Sequence, residues 1–311
     1  LARDCADGPA LAIGGPALEG VGLYNAYYVL QGGRITARVL KHHLPNDTVF
    51  DEKRLFESGP VAGPYVVGGV RIGSPVCEDS WYADVAETLA ETGAEMLLVP
   101  NGSPHDREKM ALRLNHMVAR VVETGLPLVY LNMVGGQDDQ VFDGGSFVLN
   151  PGGALAMQLP MFQEAVAHVD FERGEDGWRA VPGALAHLPG GLEQDYNAMV
   201  LALRDYLRKA GFGRVLLGLS GGVDSAIVAA IAVDALGAGC VRCVMLPSEY
   251  TSEASLEDAR AVAEALGCRY DFVPIAEGRA AITATLAPLF EGCAPDVTEE
   301  NIQSRLRGLL L

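Results

Sequence analysis

The chain has 311 residues, 49% of them hydrophobic and 20% charged, with a formal net charge of −17. That length accommodates two domains, and the composition excludes a disordered or fibrous chain. The acidic balance argues against a surface that binds phosphate backbones, so no nucleic-acid partner is expected; no run of about 18 apolar residues marks a membrane span, so no membrane partner is expected either.

The first segment carries strand-like runs. Leu11–Gly14 is one, and Val21–Leu30 is another; a Gly32-Gly33 turn then leads to a partner over Arg34–Lys41, and the pair reads as a hairpin. Val66–Val76 reads as one strand region ending at Cys77. A helix is predicted over Ala83–Thr92, a buried strand over Glu95–Pro100, a helix over Glu108–Gly125 and a strand over Leu128–Leu131. Ser146–Asn150 and Ala154–Leu159, joined by Pro151-Gly152-Gly153, form a second predicted hairpin.

Residues 172–192 hold Gly174, Gly177, Pro182, Gly183, Pro189, Gly190 and Gly191, and are expected to be a linker. The predicted domains are therefore 1–171 and 193–311. After the linker, Glu193–Ala210 reads as an amphipathic helix. Strands at Val215–Leu217, Val241–Leu246 and Arg269–Ile275 then alternate with helices, including Ser255–Leu266. Repeated βα units predict a parallel, doubly wound sheet with its ligand site at the carboxyl ends of the strands.

The Cys residues are Cys5, Cys77, Cys240, Cys243, Cys268 and Cys293. Cys240-Val-Arg-Cys243 has CxxC spacing, but no second pair or His cluster completes a zinc site, so a structural role is expected. The opening residues do not read as a secretory signal, and a cytoplasmic setting with reduced thiols is expected.

Two places carry chemistry. Gly218-Leu-Ser-Gly-Gly-Val-Asp-Ser-Ala226 lies between an apolar strand and a helix. Gly221 and Gly222 let the backbone come close to an anion, Ser220 and Ser225 offer hydroxyls, and the helix start adds N–H groups. The loop has no Lys, so it is not a Walker loop; Asp224 is suited to holding Mg²⁺ beside phosphate oxygens. A glycine turn with a Ser/Asp cap is the plainer alternative. In Cys77-Glu-Asp-Ser-Trp81 a thiol sits at a strand end, where a base or a cation can activate it. Lys41 ends the earlier hairpin strand and meets Cys77 if the strands adjoin, where its ammonium can face an oxyanion. Taken alone, Cys77 reads as a core thiol and Lys41 as a solvated residue.

The glycine loop resembles the Ser-Gly-Gly-x-Asp-Ser loop of enzymes that cleave ATP between its α and β phosphates. Lys41-His-His-Leu-Pro-Asn46, Val49-Phe-Asp-Glu52, Cys77-Glu-Asp-Ser-Trp81, Asn101-Gly-Ser-Pro104, Gly135-Gly-Gln-Asp138 and Phe142-Asp-Gly-Gly-Ser146 resemble nitrilase-like glutaminase domains. Leu246-Pro-Ser-Glu-Tyr-Thr-Ser252, with Ser255 and Asp258-Ala259, and Glu300-Asn-Ile-Gln-Ser-Arg305 resemble NAD synthetase domains. The two sets occur in this order in the family of glutamine-dependent NAD synthetases.

That resemblance implies a nitrilase-like α-β-β-α sandwich followed by a doubly wound domain of the adenine nucleotide alpha hydrolase type. It implies amidation of deamido-NAD to NAD, with ATP cleaved to AMP and pyrophosphate and ammonia drawn from glutamine. Cys77 matches the nucleophile and Lys41 the lysine of a Glu-Lys-Cys triad. The Glu base is expected upstream of Lys41, and since Glu19 does not match that segment, the base is expected to precede residue 1. Later synthetase motifs are expected beyond Leu311, so the chain reads as truncated at both ends and, alone, as impaired.

Glu52 is expected beside the triad, and Trp81 and Ser103 in the glutamine pocket; Asp47-Thr48 departs from the family's Tyr-Gly. Gly218, Ser220, Gly221, Gly222, Asp224 and Ser225 match the ATP phosphate loop, with Asp224 on Mg²⁺. Met245 and Leu246 match the adenine segment, and Arg305 an arginine near the nucleotides. A homo-oligomer is expected. The alternatives are a fragment that only binds nucleotide, or another amidotransferase with the same ATP loop.

Overall fold

The chain clusters into two units, Leu1–Gly135 with Gln140–Asp195, and Gly136–Asp139 with Tyr196–Leu311. The structure is a computed structural model and describes every residue except Thr48, Cys293 and Pro295. Part of the Asp47-Thr48 departure, and one of the cysteines, therefore lie outside the described residues.

In the first unit, β1 (Leu11–Glu19), β2 (Gly22–Gln31) and β3 (Arg34–Leu40) form an antiparallel meander, with Leu11 opposite Leu30 and Ala26 opposite Leu40. β1 runs past the expected Gly14 and tolerates Pro16 because it is an edge strand, where a missing N–H leaves no ladder bond broken. The expected single strand at 66–76 is instead a hairpin, β4 (Tyr65–Val67) and β5 (Val70–Gly73), turning on Gly68 and Gly69 at φ 57° and 84°. Two consecutive positive-φ residues are what a tight hairpin turn needs. The chain then leaves the sheet, and Cys77–Trp81 forms a 3-10 turn.

Next come α1 (Ala83–Glu91), β6 (Met96–Asn101), α2 (Lys109–Thr124) and β7 (Leu128–Asn132). A short hairpin, β8 (Val134–Gln137) and β9 (Gln140–Asp143), was hidden by its glycine-rich, polar sequence; β10 (Phe147–Asn150) and β11 (Ala154–Gln158) follow. The larger sheet has the order β11-β10-β7-β6-β5-β4, parallel at β5-β6-β7 and antiparallel toward both edges.

Val85 and Leu89 of α1 and Met117 and Val121 of α2 pack on Leu97, Val99, Tyr130 and Leu149 of that sheet. Full burial of each such side chain contributes about 1.5–3 kcal/mol. Tyr27 and Val39 of the meander pack with Val76, beside Tyr65 and Cys77. Helices, mixed sheet and meander thus form the helix–sheet–sheet part of the expected α-β-β-α sandwich.

The stretch expected as a linker opens with a hairpin, β12 (Phe171–Gly174) and β13 (Gly177–Ala180), whose Ala180 N–H donates to Asn150 Oδ1 at 2.7 Å. Its glycines make a hairpin turn, with Gly177 at φ 105°, and do not leave the chain loose there.

α3 (Gly191–Ala210) leads into β14 (Val215–Gly218), α4 (Val223–Leu236), β15 (Val241–Met245), α5 (Glu253–Leu266), β16 (Arg269–Phe272), α6 (Ala276–Leu286) and α7 (Val297–Leu310). β14, β15 and β16 pair in parallel. Cys243 and Met245 face Ala229, Ala232, Ala259 and Ala263 of α4 and α5, whose small side chains allow close approach. Val244, next along the strand, belongs to the opposite cluster with Leu246, Ile275 and Leu306. Both faces of this sheet are covered by helices, as a doubly wound α/β arrangement requires. Among the described residues, no helix is long and apolar enough to cross a membrane.

Candidate active sites

Cys77 has a φ of 51°, an uncommon value for a residue with a side chain. It opens the 3-10 turn that follows β5. Asp79 holds this turn. Its Oδ2 accepts the Val76 N–H at 3.0 Å, and its Oδ1 accepts the N–H groups of His42 and His43 at 3.1 and 2.6 Å. One buried carboxylate thereby joins the Cys77 turn to the segment after β3.

Lys41 stands at the head of that segment and is 1% exposed. Its N–H donates to Asn25 O, and Gly59 N–H donates to Lys41 O, both at 2.8 Å. Gly59 must be glycine, since a Cβ there would lie 2.4 Å from Leu40 Cβ. The Lys41 ammonium donates to both oxygens of Glu52, at 2.8 and 2.9 Å. A buried ammonium needs such a partner, because desolvation alone costs on the order of several kcal/mol.

Lys41, Glu52, Cys77, Asn101 and Gly102 line one cavity of about 280 Å³. Cys77 also lines a second, open hollow of about 980 Å³ with Trp81, Ser103 and Phe50. The sulfur therefore stands between a charged recess and a roomier entrance. Burial pushes the Cys77 thiol above its ordinary pKa; the Lys41 ammonium and the Gly102 N–H pull the other way, and Glu78 and Glu52 add to the rise. A strand-end thiol beside a cation is an arrangement suited to nucleophilic chemistry, with the ammonium placed to meet an oxyanion.

Ser103 is held more firmly than the sequence foretold. Its Oγ accepts the Arg113 Nε–H at 3.1 Å, and its N–H donates to Asn132 Oδ1 at 2.9 Å. Arg113 and Asp143, both fully buried, pair at 2.7 Å, and Asn132 Nδ2 donates to Asp143 Oδ1 at 3.2 Å. Trp81 lies against His116 with the rings tilted by 32° and their centroids 4.5 Å apart.

In the second unit, the loop after β14 turns at Gly221, with φ 84°; a Cβ there would lie 2.2 Å from Ser255 O. Ser220 and Ser225 hydroxyls lie 3.0 Å apart, and Ser225 Oγ accepts the Ser220 N–H at 3.1 Å. Gly222 caps α4, and Asp224 sits exposed in its first turn. Gly218, Ser220, Met245, Leu246, Thr251 and Arg307 line a hollow of about 370 Å³ at the carboxyl ends of β14 and β15. Gly221, Gly222, Asp224 and Ser225 shape the loop beside this hollow and are not among its lining residues. Arg305 is exposed and lies off the hollow; Arg307, two residues on, donates from Nε to Leu246 O at 3.0 Å. A half-turn of helix separates the two arginines, and the motif alone did not say which one faces inward.

A carbon-nitrogen hydrolase family model matches residues 6–177, which is over half of the chain. The chain belongs to the carbon-nitrogen hydrolase family. An NAD synthase model matches residues 195–311 of this family member. Among curated proteins, it is 64% identical over 311 residues to the glutamine-dependent NAD(+) synthetase of Rhodobacter capsulatus, covering all of this chain and 56% of that protein. It is 35% identical over 317 residues to the enzyme of the same name from Thermotoga maritima, covering 92% of this chain and 55% of that one. Among solved structures, the glutamine-dependent NAD+ synthetase of Acinetobacter baumannii, in complex with ADP, superposes with a TM-score of 0.91 at 37% identity, covering 97% of this chain and 57% of that chain. The chain thus spans just over half the length of the curated relatives it matches.

The structure adds residues to which the sequence assigned no role: Asp79, Gly102, Arg113, Asn132 and Asp143 around Cys77, and Thr251 and Arg307 beside the glycine loop. Most lay inside quoted motifs, but only the fold shows which polar atoms meet. The CxxC spacing has no structural counterpart in a Cys240–Cys243 pairing; the Cys243 sulfur lies 3.5 Å from that of Cys268.

Proposed function

We propose that this chain serves glutamine-dependent synthesis of NAD: ammonia is released from glutamine at Cys77, and deamido-NAD is amidated with cleavage of ATP to AMP and pyrophosphate. The observation that carries the reading is the shared cavity of Cys77, Lys41 and Glu52 in a chain whose other unit presents the glycine loop. The relatives' names support it, and the ADP complex of the Acinetobacter baumannii enzyme supports an adenine nucleotide at the second site.

In this reading the Cys77 sulfur attacks the carboxamide carbon and its proton passes to a carboxylate base. Lys41 and the Gly102 N–H lie where they can stabilise the oxyanion, and Glu52, accepting from the Lys41 ammonium at 2.8 and 2.9 Å, holds it in place. The base returns that proton to the departing nitrogen as the tetrahedral adduct collapses and releases ammonia; water then cleaves the thioester to glutamate and the free Cys77 thiol. Trp81 and Ser103 border the entrance for glutamine.

At the second site, the hollow between Gly218 and Leu246 takes the adenine side of ATP, and the loop N–H groups and Ser220 and Ser225 hydroxyls take its phosphates. The Asp224 carboxylate, a hard oxygen donor in the first helical turn, fits Mg²⁺, which supplies charge neutralisation to the phosphates. Arg307 supports the Leu246 carbonyl, and Arg305, on the exposed side, is available to deamido-NAD. The nicotinate carboxylate displaces pyrophosphate from the α-phosphate, and ammonia then displaces AMP. The glutaminase domain is assigned as 1–171 together with the hairpin that ends at Ala180, the synthetase domain as 193–311, and the active form as a cytoplasmic homo-oligomer, in a setting that keeps Cys77 reduced.

The test is to follow NAD formed from deamido-NAD, ATP and Mg²⁺ with either glutamine or ammonium as nitrogen donor. Asp224→Asn is expected to abolish synthesis with both donors while glutamine is still hydrolysed. Synthesis near the unaltered rate in Asp224→Asn contradicts the loop assignment.

A further inference from the structure

The side chains of His42, His43 and Asp84 form a second cluster that has no part in the chemistry above. His42 and His43 follow Lys41, and Asp84 lies in the first turn of α1. One ligand atom from each of these three side chains lies within 4.8 Å of the others. His43 Nε2 is already 2.9 Å from Asp84 Oδ2 and 3.0 Å from Oδ1.

The His42 ring is oriented. Its Nδ1 lies 2.7 Å from Gly59 O, a carbonyl that only accepts, so Nδ1 donates, and in the neutral ring Nε2 holds the lone pair. A histidine that donates one ring N–H to a backbone carbonyl and presents the other nitrogen is the usual arrangement of a metal-ligating imidazole. The His43 ring is fixed as well, tilted over Tyr82 with centroids 4.4 Å apart. Two of the three ligands, His42 and His43, line an open hollow of about 520 Å³ with Lys53, Glu78 and Tyr82, so an ion and its water ligands have access from that side.

We propose that His42, His43 and Asp84 form a binding site for a divalent transition-metal ion of the Zn²⁺ or Co²⁺ class. Two imidazoles and one carboxylate suit these ions and leave a fourth position for water. The ion takes the place of the proton shared between His43 Nε2 and Asp84, and that proton leaves to solvent. A bound ion fastens the segment carrying Lys41 to the start of α1. A hydrogen-bonded His43–Asp84 pair without metal affinity is the competing account.

The test uses the whole chain, freed of metal with a chelator and titrated with Co²⁺ under reducing conditions, following visible absorption and bound metal per chain. The expected result is one Co²⁺ per chain with a tetrahedral nitrogen–oxygen spectrum, weakened at least ten-fold (an order-of-magnitude expectation for losing a ligand) in His43→Ala and in Asp84→Ala. Both variants keep the backbone N–H groups that serve Asp79, and circular dichroism of each checks that the fold persists. Cys77→Ser is expected to bind Co²⁺ like the unaltered chain. Absence of binding, binding unchanged in folded His43→Ala and Asp84→Ala, or a sulfur-to-metal charge-transfer band lost in Cys77→Ser would each overturn the proposal.

Discussion

The carboxylate of Asp79 accepts the backbone N–H of His43 at 2.6 Å, and this bond couples two segments that the sequence separates by 36 residues. Because the same carboxylate also takes the Val76 N–H, the position of Lys41 and the strained turn of Cys77 are set by one group. Asp79→Ala strands those donors. Each bond to a charged group contributes about 1.5–3 kcal/mol, so a loss of about 3 kcal/mol is expected, with glutamine hydrolysis falling together with stability. Asp79→Asn keeps one acceptor oxygen and should lose less. Denaturant unfolding of the two variants checks the order; equal losses would show that the acceptor oxygen kept in Asp79→Asn contributes nothing.

Lys41 and Glu52 form the second relationship. Lys41→Met removes a cation facing the oxyanion, and glutamine hydrolysis is expected to fall by about 10²–10³-fold in kcat. Glu52→Gln leaves the ammonium buried without its charged partner, and a smaller loss of about ten-fold is expected (roughly 1.4 kcal/mol), mostly in kcat. Steady-state kinetics of both variants give the comparison. A larger effect of Glu52→Gln than of Lys41→Met would point to Glu52 as the base itself.

The reactivity of Cys77 carries a definite pH sign. Its folded-state pKa is raised, so the thiolate fraction at neutral pH is below that of a free cysteine. Alkylation by iodoacetamide in the absence of substrate should rise with pH and reach its midpoint above the ordinary cysteine range. Lys41→Met removes a lowering influence and should move the midpoint higher; Glu78→Gln removes a raising one and should move it lower. Peptide-resolved labelling across pH reads this, and a midpoint below the ordinary range contradicts the burial argument. Cys243 serves as an internal reference, since burial, with Cys268 beside it, pushes its thiol up to about 12, and it should stay unlabelled where Cys77 reacts.

Arg113 and Asp143 are both fully buried. Arg113→Met leaves Asp143 charged and without its main partner, and a loss of about 3–5 kcal/mol is expected. Replacing both, as Arg113→Met with Asp143→Leu, should recover part of it. Thermal unfolding of the single and double variants measures the coupling; additive losses would mean that the pair is not energetically linked.

Much of this organisation was legible in the sequence because period and punctuation were strong. The apolar run Met96–Pro100, the 3.6-residue spacing of α2 and the glycine loop after Val215–Leu217 fall where the pattern predicts. The misses have physical reasons. Gly68-Gly69 splits one expected strand because a turn needs positive φ at both positions, which an apolar reading ignores. The hairpin at 171–180 looked like a linker because hairpin turns and linkers use the same residues. Glu52 reads as an accessory acid in sequence, and its bond to Lys41 depends on a loop closing over eleven residues. Arg307 lines the hollow without having been singled out, because helical phase decides between neighbours in a charged run.

The most direct measurement is covalent trapping at Cys77. A diazomethyl ketone analogue of glutamine is incubated with the protein, with and without excess glutamine, and the labelled peptide is identified by mass spectrometry. A single adduct on Cys77, prevented by glutamine and slowed in Lys41→Met, is the predicted result. Labelling at another residue, or continued glutamine hydrolysis with Cys77 unlabelled or replaced by Ala, would contradict the account.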